Sequence, residues 1–396
     1  MGSHQTSSKS FSAAIIGGGI SGLTLAIALQ QRHIKVQIYE AATKFRQVSY
    51  GLAMSPTANR VIPLIDPHLG EIYKTLVTTH RGGPGDEDLE ATWFRVVWGS
   101  GKNEGHAVFD FKSSTGMTSL RRAEFLNLLT SFIPRESIHF NKRLLYLREI
   151  DSGLRVVFED GTSGTFEVVV GCDGVHSNVR KSMLPNETTE PQYSGMFAYR
   201  AVLDMETVIE AVGEERARIA TKYISKGACG VSYPVDRSRK VNVGLYRTSP
   251  NLKTFPPNPV KWAIFDHHPV STFCRGRVVL IGDAAHACTP HQGEGIGQAV
   301  EDVYVLAELL SDSRVITSSH AIAAFQAYNE VRRRRTQQTS RENGKILCLN
   351  HEYFGDDEKK LKQEWRERYN WIWNLDMNDH VERARIIMYA ALAELD

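Results

Sequence analysis

Ser12-Ala-Ala-Ile-Ile-Gly-Gly-Gly-Ile-Ser-Gly22, running on through Leu23 to Gln31 and then Ile34-Lys-Val-Gln-Ile-Tyr-Glu40, is the stretch whose reading decides the fold. Ser12 to Ile16 is a short apolar run of buried-strand type, Ile20 to Gln31 has helical composition, and Ile34 to Tyr39 is a second strand. The glycines Gly17, Gly19 and Gly22 therefore have the context that a lone G-x-G-x-x-G lacks, a strand before them and a helix after. In such a unit Gly17 permits the tight turn, Gly19 lets a pyrophosphate approach the backbone, and Gly22 allows helix to pack on strand. Ser21 stands in the first helical turn, whose N-terminus faces the anion. Glu40, at the end of the second strand, is the expected ribose-binding carboxylate. The unit reads as dinucleotide-binding and does not choose between FAD and NAD.

Working outward, 396 residues are long for one core and comfortable for two joined lobes. A net charge of +2 with 23% charged residues gives no electrostatic reason to expect nucleic acid or an anionic membrane as partner. No apolar run approaches the roughly 20 residues needed to span a bilayer. The polar start, with Met1–His4 resembling an added tag, has no signal core, and the five cysteines include no C-x-x-C pair. A reduced, cytoplasmic setting and a monomer or homodimer are expected.

Arg122 to Phe132 carries a helical apolar stripe, and Leu144 to Val170 alternates like a hairpin or three-stranded ribbon around Glu159-Asp-Gly161. From Tyr193 to Arg247 alternating runs predict an antiparallel sheet, broken by the proline-rich Phe255-Pro-Pro-Asn-Pro259. Arg277 to Ile281 returns to a buried strand, and helical composition follows from Glu301 almost to the end, with a loop near Gly355–Asp357.

Two later stretches carry a resemblance. Gly171-Cys-Asp-Gly-Val-His-Ser-Asn-Val-Arg180 resembles the G-A-D-G-x-x-S-x-V-R motif of single-component FAD-dependent aromatic hydroxylases. Gly282-Asp-Ala-Ala-His-Ala-Cys-Thr-Pro-His-Gln-Gly-Glu-Gly295 resembles their G-D-A-A-H-x-x-x-P-x-x-G-x-G motif and continues as Gln298-Ala-Val-Glu-Asp302. The texture is similar to the fungal salicylate hydroxylase-like branch, which includes dearomatising phenol hydroxylases. The resemblance implies an α/β fold: a discontinuous Rossmann-like FAD-binding domain of glutathione-reductase type, an inserted antiparallel-sheet substrate domain and a helical C-terminus. The corresponding segments are 10–80, 116–190 and 271–345 for FAD, 81–115 and 191–270 for substrate, and 346–396 for the helical end. FAD is the implied cofactor, with NADPH or NADH as transient reductant.

By the same resemblance, Asp173 and Arg180 belong to a motif linked to FAD and to the nicotinamide. Arg122, with Arg121 as its alternative, is an arginine that opens a helix and contacts FAD. Arg46, before Tyr50-Gly51-Leu52, matches the arginine of the mobile flavin loop, with Gly51 beside it. Asp283, ending a buried strand, is placed to accept a hydrogen bond from a ribityl hydroxyl. Pro290 fixes the loop beside the ring, and Gly293, Gly295, Ile296 and Gly297 start a helix whose N–H groups favour negative charge there. Glu294 departs from the pattern, since a carboxylate near the ring opposes reduction unless it points to solvent.

The implied reaction is NAD(P)H- and O₂-dependent hydroxylation of a small phenolic substrate, salicylate-like or polyketide-derived, through a flavin hydroperoxide. The cofactor carries the hard step, so the protein must present an electron-rich phenolate and exclude water. Arg200 and Tyr233, on consecutive predicted strands, are the candidate catalytic pair: Arg200 to hold a phenolate or carboxylate, Tyr233 to orient it or relay its proton. Tyr246 is a further candidate. His286 and His291 follow the flavin motif's spacing, so no metal is expected. Arg332 to Arg335 reads as a solvated helix face, and Trp371-Ile-Trp373 as packing against the FAD domain. Rival readings are an epoxidase or oxidase of an indole or terpenoid on the same fold, a flavin halogenase or reductase, and a non-catalytic nucleotide-binding protein.

Overall fold

Ser12–Ile16 forms β1, Ile20–Gln31 forms α1, and Lys35–Tyr39 forms β2 parallel to β1, as the period of the sequence demands. The computed structural model describes residues 9–45, 50–79, 91–249, 261–348 and 357–395. The expectations for Met1–His4, Arg46, Phe255–Pro259 and most of the loop before Asp357 therefore lie outside the described residues. On the other side of β1 runs β12 (Val168–Gly171), then β19 (Val278–Leu280) and the short antiparallel β18 (Cys274–Arg275), while β8 (Ile138–His139) borders β2. The order β18-β19-β12-β1-β2-β8 is thus drawn from distant parts of the chain. β12 is buried at every position and β1 at four of five, which is why neither alternates.

The ribbon is shorter than expected. β9 (Leu144–Ile150), β10 (Gly153–Phe158) and β11 (Ser163–Phe166) form it, but Val168 onward leaves to join the parallel sheet. Four consecutive apolar residues cannot sit on a ribbon with one wet face. Glu167 marks the departure, its carboxylate accepting from the amide and hydroxyl of Ser12 on β1.

The second large sheet contains β13 (Gln192–Asp204), β14 (Thr221–Ser225), β15 (Ala228–Val235), β16 (Lys240–Thr248) and β17 (Lys261–Asp266). β5 (Ala91–Trp98) and β6 (Ala107–Ser113) complete the order β17-β13-β16-β15-β14-β5-β6, which is antiparallel except where β5 meets β14. Arg200 on β13 and Tyr233 on β15 are therefore not on neighbouring strands, because β16 runs between them. A small sheet of β3 (Gly51–Met54), β7 (Thr118–Arg121) and β4 (Thr78–Thr79) stands beside it, with β7 leading into α4 (Arg122–Ser131). Ser119 on β7 ties the two sheets, its hydroxyl donating to the Pro234 carbonyl.

Helix α9 (Gly295–Ser311) packs on α1, α2 (Pro56–Ile65), α10 (Ser318–Cys348) and α12 (Met377–Leu392), α10 packs on α12, and α3 (Pro67–Leu76) backs α2. Here Arg332 to Arg335 depart from a solvated face. Arg332 is fully buried, its Nε 2.8 Å from Asp302 and its Nη1 bonded to Glu301, and Arg335 reaches Glu301 at 2.7 Å. Only Arg334 of the four is well exposed. Successive arginines on a helix point in different directions, so a run of four cannot share one face.

Trp371-Ile-Trp373, in α11 (Glu358–Trp373), meets the FAD-binding segments, through Arg60, Glu294 and Arg335, and the seven-stranded sheet as well. Trp373 packs on Trp93, Phe111 and Tyr369, so α11 closes the seven-stranded sheet, while Arg335 lies 5.3 Å from the Trp371 ring centroid. Replacing Glu301 with alanine leaves Arg335 without a carboxylate among the described residues and Arg332 with Asp302 alone. The expected cost is about 3–5 kcal/mol, read from the urea midpoint; a change below about 1 kcal/mol would contradict a buried clamp.

Candidate active site

Glu40, Gly17, Asp173 and Asp283 follow β2, β1, β12 and β19, four adjacent parallel strands, and all lie at the carboxyl ends where open α/β sheets bind ligands. Gly17 has φ +108°, and a Cβ there would stand 2.3 Å from the Cys172 carbonyl oxygen. A Cβ on Gly22 would stand 2.0 Å from the oxygen of Gly17, whereas Gly19 has open space before it. Gly19, Glu40 and Asp173 line a cavity of about 250 Å³. Glu40 accepts the Gly18 amide on one oxygen and the Ala42 amide on the other, both at 2.8 Å, so it shapes the loop while facing that cavity.

Asp173 takes the Ser177 hydroxyl and the amides of Asn178 and Val179, which anchors the start of α5 (Asn178–Met183). Burial raises its carboxyl pKa, and those hydrogen bonds oppose the rise. Two expected contact residues are placed otherwise. Arg180 lines neither this cavity nor the larger one, because its guanidinium donates to the carbonyls of Ala285 (2.8 Å), Ala284 and His268. It positions the Gly282 motif from behind. Ser21 likewise lines neither; its Oγ packs against Gly282, where an added Cβ would be 2.4 Å away.

The larger cavity, about 310 Å³, lies between the second motif and the seven-stranded sheet. One wall holds Gly51, Asp283, Pro290, Gly293, Gly295 and Ile296. Asp283, in the short helix α8 (Asp283–His286), is exposed and lines the cavity, while the three residues after it are buried. Desolvation by the surrounding protein raises its carboxyl pKa, partly offset by His286 and Arg122. Arg122 donates its amide to the Tyr50 carbonyl, and its guanidinium lies 5.8 Å from the Tyr50 ring, while Arg121 faces Glu124 at 3.6 Å. Of the two arginines, Arg122 therefore stands on the Asp283 side. Gly51 donates to Asn242 at 2.7 Å and is too close to Asn242 and Tyr233 to carry a side chain. Arg46 lies outside the described residues.

The opposite wall brings Arg200, Tyr233 and Tyr246 together. Arg200 lies 5.2 Å from the Tyr50 ring centroid and 5.8 Å from that of Tyr246, and no carboxylate among the described residues pairs with it. Burial opposes its charge, but the phenols of Tyr246, Tyr50 and Tyr233 around it outweigh that, and its pKa stays above the ordinary value. Burial pushes the Tyr233 phenol well up, so it is a neutral donor.

Lys222 and Asn242 also line this cavity and were not singled out from the sequence. The alternation Thr221-Lys-Tyr-Ile-Ser225 was the available signal for Lys222, since it puts a lysine on the face opposite Tyr223. His286 bonds Asp302 at 2.5 Å, and His291 meets the sulfur atoms of Met196 and Cys229, so each histidine has protein partners. Glu294 is neither solvent-facing nor a cavity wall: it is 1% exposed and accepts from the Trp373 indole at 2.7 Å. Burial raises its carboxyl pKa to about 7.

Comparison with known proteins bears on this geometry. A family model described as FAD binding domain matches residues 133–343, more than half the chain, and one described as NAD(P)-binding Rossmann-like domain matches residues 15–47. The 6-methylsalicylate 1-monooxygenase of Aspergillus terreus is 34% identical, over 98% of this chain and 94% of its own. The chain belongs to the FAD-dependent monooxygenase family. Salicylate hydroxylase of Pseudomonas putida is 32% identical over 94% of each chain, and a solved salicylate hydroxylase–substrate complex matches with a TM-score of 0.80 at 27% identity, covering 94% of this chain and 98% of that one. The monooxygenase thus has the α/β architecture with Rossmann-like and FAD-binding regions and a helical C-terminus, and it uses FAD with NAD(P)H as reductant. Its residues fit that cofactor: Gly19 is open to one cavity, and Asp283 presents to the other a carboxylate with no hydrogen bond from another described residue.

Gly22→Ala has no room for its methyl and should yield protein that does not retain FAD, seen as lost visible flavin absorbance; a yellow, fully loaded variant would overturn the packing argument. For Glu294 the folded pKa of about 7 exceeds the ordinary 4.5, so the native state holds the proton more tightly than the unfolded chain. Its contribution is intact below the lower value and declines as pH rises toward the higher. Against Glu294→Gln, the parent should lose up to about 3 kcal/mol across that window in thermal unfolding; parallel curves would refute the assignment.

Proposed function

We propose that the monooxygenase hydroxylates a small phenolic substrate in the larger cavity, with Arg200 and Tyr233 as its catalytic residues. The observation that carries this reading is Arg200, a guanidinium on a cavity wall with no carboxylate partner among the described residues, facing the loop of the second motif. A charge so placed favours an anion brought in from solution, and a phenolate oxygen meets a guanidinium well. Tyr233, neutral and buried, orients the substrate oxygen or relays its proton. The relatives named for salicylate and 6-methylsalicylate support the same class.

In this reading FAD supplies the chemistry by activating O₂ for transfer of one oxygen atom to the ring. Gly17, Gly19, Gly22, Glu40 and Asp173 would hold its nucleotide part, and Gly51, Arg122, Asp283, Pro290, Gly293, Gly295 and Ile296 its ring; Arg46, expected to assist, lies outside the described residues. Asp283 would accept a ribityl hydroxyl, and the first turn of α9 would favour negative charge on the ring. The six sequence segments divide accordingly into FAD-binding, substrate-binding and C-terminal helical parts. Cys172, Cys229 and Cys274 are free thiols, which supports a reduced, cytoplasmic setting, and no helix among the described residues is long and apolar enough to cross a membrane.

The test is to purify the FAD-loaded enzyme and screen phenols and salicylates for ligand-dependent NADPH oxidation with an oxygenated product. Arg200→Met and Tyr233→Phe should each lower kcat/KM by about 100-fold with FAD content unchanged. NADPH loss that gives only peroxide with every phenol would refute the proposal.

A further inference from the structure

Glu294 stands between Gly293 and Gly295, which both line the larger cavity, yet it does not line that cavity itself. Its carboxyl lies instead against the first turn of the helix it precedes, α9. A Cβ on Gly297 would stand 2.8 Å from Glu294 Oε2 and 2.5 Å from Ser55 Oγ, so the glycine leaves the room that the carboxyl occupies. The unpaired amides of a first turn favour negative charge from whichever side it comes.

The carboxyl is short of partners. Oε1 accepts the Trp373 indole at 2.7 Å, and Oε2 has no hydrogen-bond partner among the described residues. The Ser55 hydroxyl near it already accepts the Ala58 amide at 3.3 Å. The ionisable groups around it are Tyr369 of α11, Glu301 further along α9, Arg335 of α10 and Arg60 of α2. Arg335 is committed to both oxygens of Glu301, at 2.7 and 2.8 Å, and Arg60 to the Trp373 carbonyl. Burial drives the Tyr369 phenol well up, so it is neutral. An acid that is 1% exposed, with one oxygen bare and no cation of its own among the described residues, favours its neutral form. Burial is accordingly the largest influence on its pKa, raised to about 7, with Glu301 adding to the rise and the indole and Arg335 opposing it.

We propose that Glu294 governs how reduction of the bound FAD depends on pH: as a neutral acid it leaves the positive end of α9 to the flavin ring, and as a carboxylate it competes with the ring for that end. Reduction adds negative charge to the ring. Two negative charges at one helix turn, in an interior without salt or water to screen them, oppose each other. Loss of the Glu294 proton therefore makes reduction harder, and reduction by the same factor makes that proton harder to lose. This inference rests on the placement of the ring at the start of α9 given above and is independent of which substrate is oxygenated.

The midpoint potential of FAD-loaded protein is measured without substrate from about pH 5 to about pH 9, for the parent and for Glu294→Gln, which keeps an acceptor for the indole. At the acid end both side chains are neutral and the two potentials should run parallel. Above about pH 7 the parent should fall away from the variant, to a limit of about tenfold in the reduction equilibrium, or ~30 mV for a two-electron couple. A gap that is the same at every pH overturns the inference, because a merely structural carboxyl carries no such linkage. Infrared pH-difference spectra of the oxidised protein read the carboxyl directly: the parent should lose a protonated-carboxyl signal with a midpoint near pH 7 that the variant lacks. If that signal titrates while the potentials stay parallel, the ring is not where it was placed; if no signal titrates, Glu294 is not the acid. Either outcome overturns the inference and leaves phenol-triggered NADPH oxidation, a separate measurement, to decide the hydroxylase reading. The parent alone supplies a check that needs no variant to fold: at about pH 8, reduction must restore the protonated-carboxyl signal, and its absence also overturns the inference.

Discussion

Asp302 is the residue on which the rest of the site hangs. One of its oxygens accepts the Gly282 amide at 2.9 Å and the His286 ring at 2.5 Å, and the other accepts Arg332 Nε at 2.8 Å. A single buried carboxylate thus joins α9, α10 and the turn that presents Asp283. Burial alone would raise its carboxyl pKa, but His286 and Arg332 hold it down at about 2, so it stays ionised. Glu301 beside it receives Arg332 and Arg335, and Arg335 continues to the Ile372 carbonyl on α11. Breaking such a buried network leaves charges with no water to fall back on. One end meets the turn that presents Asp283, the other the helix that closes the seven-stranded sheet.

From that anchor the division of labour follows. The parallel sheet presents backbone, turns and two carboxylates at its carboxyl edge, as dinucleotide binding requires. The seven-stranded sheet presents side chains, and those lining the cavity include the cations Arg200 and Lys222, the phenols Tyr233 and Tyr246, the amide Asn242 and the rings Trp93 and Phe94. Between them the loop from Pro290 to Gly293 is held on one side by Lys222, which donates to the His291 carbonyl, and on the other by Tyr369, which reaches that of Gln292 at 3.4 Å.

Much of this could be read in the chain. The βαβ unit, the three glycines, Glu40, Asp173, Asp283 and the loop from Pro290 to Ile296 are local patterns, because each depends on residues a few positions apart. Arg200, Tyr233 and Tyr246 could be named from alternation, although their sheet order could not. Arg180 and Ser21 show the opposite case. Both sit inside legible motifs, yet they serve the motif from behind, since the Ala284 and Ala285 carbonyls and the Gly282 turn come to them from about a hundred and more than two hundred residues away.

Sequence alone determined that a phosphate-cradling strand–loop–helix begins the chain, that two further flavin-type motifs follow, and that a half-buried sheet lies between them, because glycine spacing and hydrophobic period are short-range properties of the polypeptide. Tertiary structure decided which charges are buried, which strands adjoin, and which cations remain without anions. Those outcomes depend on non-local pairing: Arg332 and Arg335 look like surface until Glu301 and Asp302 arrive, and Lys222 looks like any strand lysine until Phe94, Trp365 and the His291 carbonyl close over it.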